Sequence, residues 1–169
     1  MADLARLMVA EIPPLRMYAK ALVGDPTQAD DLVQDCLERA WSRSHLFRSE
    51  GNMRVWLFAI LHNLYVSAVR RQSRQPVRIP LTDQVESRSL RSAQEGRLEI
   101  ADLERALAGL PVDQRAAVLL VGLEDMTYEE AAGVLDIPVG TLMSRLHRGR
   151  KQLRARMAGD APTRLKRVK

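Results

Sequence analysis

The 169-residue chain is 46% apolar, enough for buried cores, and its formal charge of +5 with a pI near 9.9 favours a polyanionic partner, nucleic acid or a membrane surface. A single cysteine, Cys36, excludes an internal disulfide and a cysteine-built zinc site and fits a reducing compartment. No apolar run is long enough to cross a bilayer and the first residues lack a signal-peptide pattern, so the expectation is a cytoplasmic chain without membrane insertion.

Residues 4 to 22 place Leu4, Leu7, Met8, Ile12, Leu15, Tyr18, Ala19 and Leu22 at helical spacing, interrupted by Pro13-Pro14, which either open a new helix or kink the first. Gly24-Asp25-Pro26-Thr27 is turn chemistry. From Ala29 to Ser44 the pattern sharpens: Leu32, Cys36 and Ala40 form one apolar row and Val33, Leu37 and Trp41 the next. The outer face of that helix carries Asp30, Asp31, Gln34, Asp35 and Glu38. An acidic helix in a basic protein is electrostatically wrong for touching DNA, so it either faces solvent or docks on a basic protein surface. Charge alone leaves both open.

His45 to Arg54 reads as a loop. Then Trp56, Leu57, Ile60, Leu61, Leu64, Tyr65, Ala68 and Val69 mark a long helix with Trp56 beginning its core stripe. This pattern leaves His62, Asn63, Val66, Ser67, Arg70 and Arg71 on the remaining surface, ending in a basic cluster. From Gln72 to about Gln94 the periodicity dissolves into a long linker with Pro76 and Pro80, a domain boundary rather than an internal loop. It returns at Leu98 and runs through Leu110, breaks at Pro111, and resumes from Gln114 to Val121.

The stretch from Thr127 to Arg156 is the most informative. Thr127 and Glu130 make a capping-box pattern, so a short helix begins at Tyr128. Asp136-Ile137-Pro138 ends it, and Pro138 suits the first turn of the next helix. There Leu142, Leu146, Gly149 and Leu153 form one apolar stripe, with Gly149 a low point for close helix contact. Thr141, Ser144, Arg145, Arg148 and Lys151 share the opposite side, and His147, Arg150 and Arg154 flank it. A short helix, a proline turn and a one-sided basic helix describe a DNA-reading helix-turn-helix: arginine pairs bidentately with guanine, hydroxyls serve more loosely, and flanking bases hold phosphates. From Thr141 to Lys169 there are ten basic residues against one acid, Asp160, so the basic excess lies at the C-terminal end.

Taken together, Ala29 to Trp41 (ADDLVQDCLERAW), Val55 to Arg71 (VWLFAILHNLYVSAVRR) and Leu107 to Leu153 resemble the bacterial sigma factors of the extracytoplasmic-function group, part of the sigma-70 family. That resemblance implies an all-α chain of two small helical domains: region two over residues 1–73, a flexible linker over 74–97, region four with the helix-turn-helix over 98–158, and a basic tail over 159–169. It implies that Asp30, Asp31, Gln34, Asp35 and Glu38 grip core RNA polymerase, whose β′ clamp and β flap are the expected contacts. Arg54, His62, Asn63, Arg70 and Arg71 would then serve the −10 element, read on an unpaired strand whose bases stack and hydrogen-bond only outside the duplex. Thr141, Ser144, Arg145, Arg148 and Lys151 would read the −35 duplex. An anti-sigma factor is the expected regulator, and no cofactor is implied. The chain departs from the family pattern at Ser67, where an acid is common, and at Met143, where a base is common.

The competing reading is an autonomous helix-turn-helix regulator, which leaves the acidic helix and the second basic helix without a role. An enzyme fits least: His45, His62 and His147 lack metal-ligand spacing, no Gly-rich phosphate loop is present, and Cys36 lies on an apolar stripe where thiols are usually inert.

Overall fold

The computed structural model describes residues 2–48, 50–74 and 94–159, and among them only helices and turns occur. The bulk of the linker and the basic tail from Asp160 lie outside the described residues. The helices are α1 (Ala2–Ala10), α2 (Ile12–Val23), α3 (Pro26–Ser42), α4 (Met53–Arg74), α5 (Gln94–Ala108), α6 (Val112–Gly122), α7 (Tyr128–Leu135) and α8 (Val139–Met157), with a 3-10 turn at Ser44–Leu46.

Local chemistry sets their ends. Pro13 and Pro14 open α2 rather than kink α1, because a first-turn residue has no intrahelical N–H partner to lose. Gly24 closes α2 at φ 83°, a left-handed conformation that lets its N–H reach the Lys20 carbonyl. The Asp25 carboxylate then accepts from the Gln28 N–H at 2.8 Å and starts α3. α5 begins a turn ahead of Leu98, which extends the helix beyond its apolar contacts and leaves Leu98 and Ile100 exposed.

Leu15, Tyr18 and Leu22 of α2, Val33 and Cys36 of α3, and Leu57, Phe58 and Leu61 of α4 form one end of the core. Ala116, Ala117 and Leu120 of α6, Ala131 and Val134 of α7, and Leu142 and Leu146 of α8 form the other. The apolar cluster is continuous between them, because α7 lies on α4 and α6 lies on α2. The Cys36 thiol is fully buried, donates towards the Leu57 carbonyl at 3.4 Å and is pushed up to about 12 by that burial. Trp41, placed on the apolar stripe by its spacing, is instead 48% exposed: it lies at the last turn of α3, on an open groove with Leu37 and the α1 residues Met8 and Val9.

Candidate nucleic-acid and protein interfaces

Positions 30, 31, 34, 35 and 38 fall on one side of α3, since residues one turn apart stack on a helix face. All five are exposed. Asp30 pairs with Arg16 at 3.3 Å, an exposed pair of little energetic weight, and the Gln34 amide donates to Glu38 at 3.0 Å. Among the described residues Asp31 and Asp35 have no ion-pair partner, so their charge is presented outward.

The helix-turn-helix is built as its local chemistry requires. Glu130 N–H donates to the Thr127 hydroxyl at 3.1 Å while the Glu130 carboxylate accepts from the Thr127 N–H at 3.0 Å. Asp136 takes a left-handed conformation at φ 53°, and the Ile137 N–H returns to the Ala132 carbonyl to finish the turn. Pro138 caps α8 from outside rather than standing within its first turn, because its extended ψ of 148° precedes the first helical residue. Leu142, Leu146 and Gly149 are buried, mainly through the packing of α8 on α6 and α7. Thr141, Ser144, Arg148 and Lys151 stand exposed on the other side. Arg145 leans away from them, its side chain 29% exposed and a guanidinium nitrogen 3.8 Å from the Asp113 carboxylate of α6.

The residues expected at the −10 element do not form one patch. Arg54 and Arg70 lie at opposite ends of α4, about 24 Å apart at 1.5 Å per residue. Asn63, Arg70 and Arg71 are exposed. The structure corrects the placement of His62 on the surface: it is 8% exposed, with a ring nitrogen that has no partner, because the C-terminal half covers that side of α4. Burial pushes its imidazole down to about 4; Arg145 acts in the same direction and Asp113 opposes. Arg54 is likewise half-covered. Its guanidinium donates to Glu11 at 3.2 Å, to a Glu124 carboxylate oxygen at 2.5 Å and to the Glu124 carbonyl at 3.1 Å, and sits 5.3 Å from the centre of the Phe58 ring.

Glu124, just ahead of α7, is a buried carboxylate whose proton affinity burial raises and Arg54 lowers. The hydroxyl of Tyr18 is buried without a partner. Arg115 donates to four carbonyls: Leu107, Ala108 and Leu110 at the end of α5, and Leu22 of α2 at 2.7 Å. Sequence reading passed over Glu11, Glu124 and Arg115. Arg115 alone carried a signal, as a lone guanidinium inside an apolar helix.

The fold and these two oppositely charged faces define a helix-turn-helix DNA-binding protein with a separate surface suited to a protein partner. Residues 8–62 match the sigma2 domain of PhyR and residues 100–153 match sigma-70 region 4. The ECF RNA polymerase sigma factor EcfG of Rhodopseudomonas palustris is 38% identical over 90% of this chain and 84% of its own length. The ECF RNA polymerase sigma factor SigE of Mycolicibacterium smegmatis is 36% identical over 85% of this chain and 58% of its own. The solved sigma factor RpoE of Bartonella quintana, in complex with the anti-sigma factor NepR, superposes with a TM-score of 0.79 at 34% identity, covering 95% of this chain and all of that one. The chain belongs to the ECF RNA polymerase sigma factors. No described helix is long and apolar enough to cross a membrane.

Proposed function

We propose that this sigma factor docks on core RNA polymerase through the outward carboxylates of α3, Asp31 and Asp35 at the centre with Asp30, Gln34 and Glu38 around them, and directs it to promoters in the cytoplasm. α8 reads the −35 duplex: Ser144, Arg145 and Arg148 face base edges, and Thr141 and Lys151 hold the backbone. Asn63, Arg70 and Arg71 of α4 contact the −10 strand, with Arg54 and His62 reaching it once the C-terminal half leaves α4. The β′ clamp and β flap of polymerase take the two halves, and an anti-sigma factor, the kind of partner bound to the Bartonella relative, holds the chain in reserve. The role is one of binding and positioning, without a catalytic residue.

The observation that carries this reading is the pairing on one chain of an exposed acidic helix face with an exposed basic recognition helix. Mixing the chain with core polymerase and promoter DNA tests it. A stable complex whose initiation depends on the chain is expected; specific duplex binding by the free chain with no effect on polymerase would overturn it in favour of an autonomous regulator.

A further inference from the structure

Three polar ties cross from the N-terminal to the C-terminal half, and two of them converge on the start of α4. Arg54 holds Glu124, the Asn52 amide donates to Glu130 at 2.9 Å, and Arg115 reaches back to the Leu22 carbonyl. Between the first two, α7 lies on α4 closely enough that a Cβ on Gly133 would meet Val55 at 4.0 Å. The face of α3 takes no part in this seam and stays open.

We propose that the closed chain is self-inhibited: the Glu124 carboxylate, alongside Glu11, occupies the Arg54 guanidinium that the −10 strand would use, and α7 shields the start of α4, so that polymerase engages the open α3 face before promoter DNA reaches α4. The chemistry of the exchange is direct, because a guanidinium that binds a carboxylate through charged hydrogen bonds binds a phosphate in the same way. An ion pair with a buried carboxylate and a half-covered guanidinium also suits a latch better than a lock. Its mutual attraction is largely cancelled by the cost of desolvating both charges, so it fixes the register of the two halves without holding them irreversibly. Polymerase, by binding each half separately, needs only to compensate a small difference between closed and open forms.

The inference rests on the −10 role proposed for Arg54, and the test separates the two. Glu124→Gln keeps the size and one acceptor of the side chain but removes its charge, and its fold is checked by circular dichroism and by retained binding to core polymerase. The full-length wild type and variant are compared by small-angle X-ray scattering, and by fluorescence anisotropy with a single-stranded oligonucleotide carrying the non-template −10 sequence of a promoter melted by the holoenzyme. The variant should show a larger radius of gyration and, as free protein, bind the oligonucleotide about tenfold tighter, because a binding-competent form that is rarely populated weakens apparent affinity by its population. Within holoenzyme the two should bind alike. A variant as compact as wild type with unchanged oligonucleotide affinity overturns the latch. Expansion without any gain in oligonucleotide binding supports the latch and removes Arg54 from the −10 contact.

Discussion

Gly149 of α8 faces Gln114 of α6 so closely that a Cβ placed on the glycine would stand 3.1 Å from the Gln114 carbonyl oxygen and 2.7 Å from a methyl of Val118. The recognition helix is therefore held at its working angle by the absence of a side chain. Val118 is β-branched and cannot swing aside, and the carbonyl belongs to the backbone. Gly149→Ala should gain up to about 1 kcal/mol in helix propensity yet lose about 1 to 3 kcal/mol to overpacking, a net destabilisation. Thermal unfolding checks this: a midpoint equal to or above that of wild type would show that α8 can shift outward at no cost.

This close approach was legible in the sequence because it is local in pattern: a glycine on an otherwise leucine stripe. The capping box of Thr127 and Glu130 was legible for the same reason, both partners lying within one turn. The burial of His62 was not. Periodicity describes one helix as though its outer face met water, and His62 is covered by residues far away in the chain, near Asp113 and Arg145. Arg54 and Glu124 are 70 positions apart, one in the first turn of α4 and the other in the turn between α6 and α7, where no repeating pattern marks a partner. The spacing rules thus grouped the charged residues of each helix face by itself but not the side of α4 that the other half covers.

The α3 carboxylates predict a separation of binding from stability. Asp31 and Asp35 are exposed and outside the described ion pairs, so replacing them leaves no buried group unpaired. Asp31→Arg with Asp35→Arg should abolish association with core polymerase while changing unfolding free energy by no more than about 0.5 kcal/mol. Co-purification with core polymerase and a denaturant melt give the two readouts. Undiminished association would move the docking surface elsewhere, with the Trp41 groove the adjacent candidate.

Arg145 should discriminate bases, not merely hold the backbone. Its position in α8 is beside Ser144 and Arg148, and its side chain leans away from them only through a loose tether to the exposed Asp113 at 3.8 Å, a pair too weak to prevent its reorientation towards a guanine edge. Arg145→Ala should cost about 1 to 3 kcal/mol on the native −35 duplex and almost nothing on a duplex altered at the contacted base pair. Titration of holoenzyme against both duplexes measures the difference; equal losses on the two would make Arg145 a phosphate contact.

His62 should make the closed fold sensitive to acid. Its imidazole is held near 4 in the folded chain, below an ordinary value of about 6.5, chiefly because burial disfavours the charged ring. The unfolded chain therefore takes up the proton first as pH falls. Stability is full above about pH 6.5 and declines through the interval down to about 4, at up to 1.36 kcal/mol per pH unit and about 3 kcal/mol in all. The other charged groups near the ring, Asp113 of α6 and Arg145 of α8, are present in both wild type and His62→Gln, so the difference between the two isolates the imidazole. Urea unfolding at pH 7 and at pH 4.5 should show a markedly smaller loss for His62→Gln than for wild type; the same loss in both would mean that water reaches the ring in solution and that the seam over α4 opens readily.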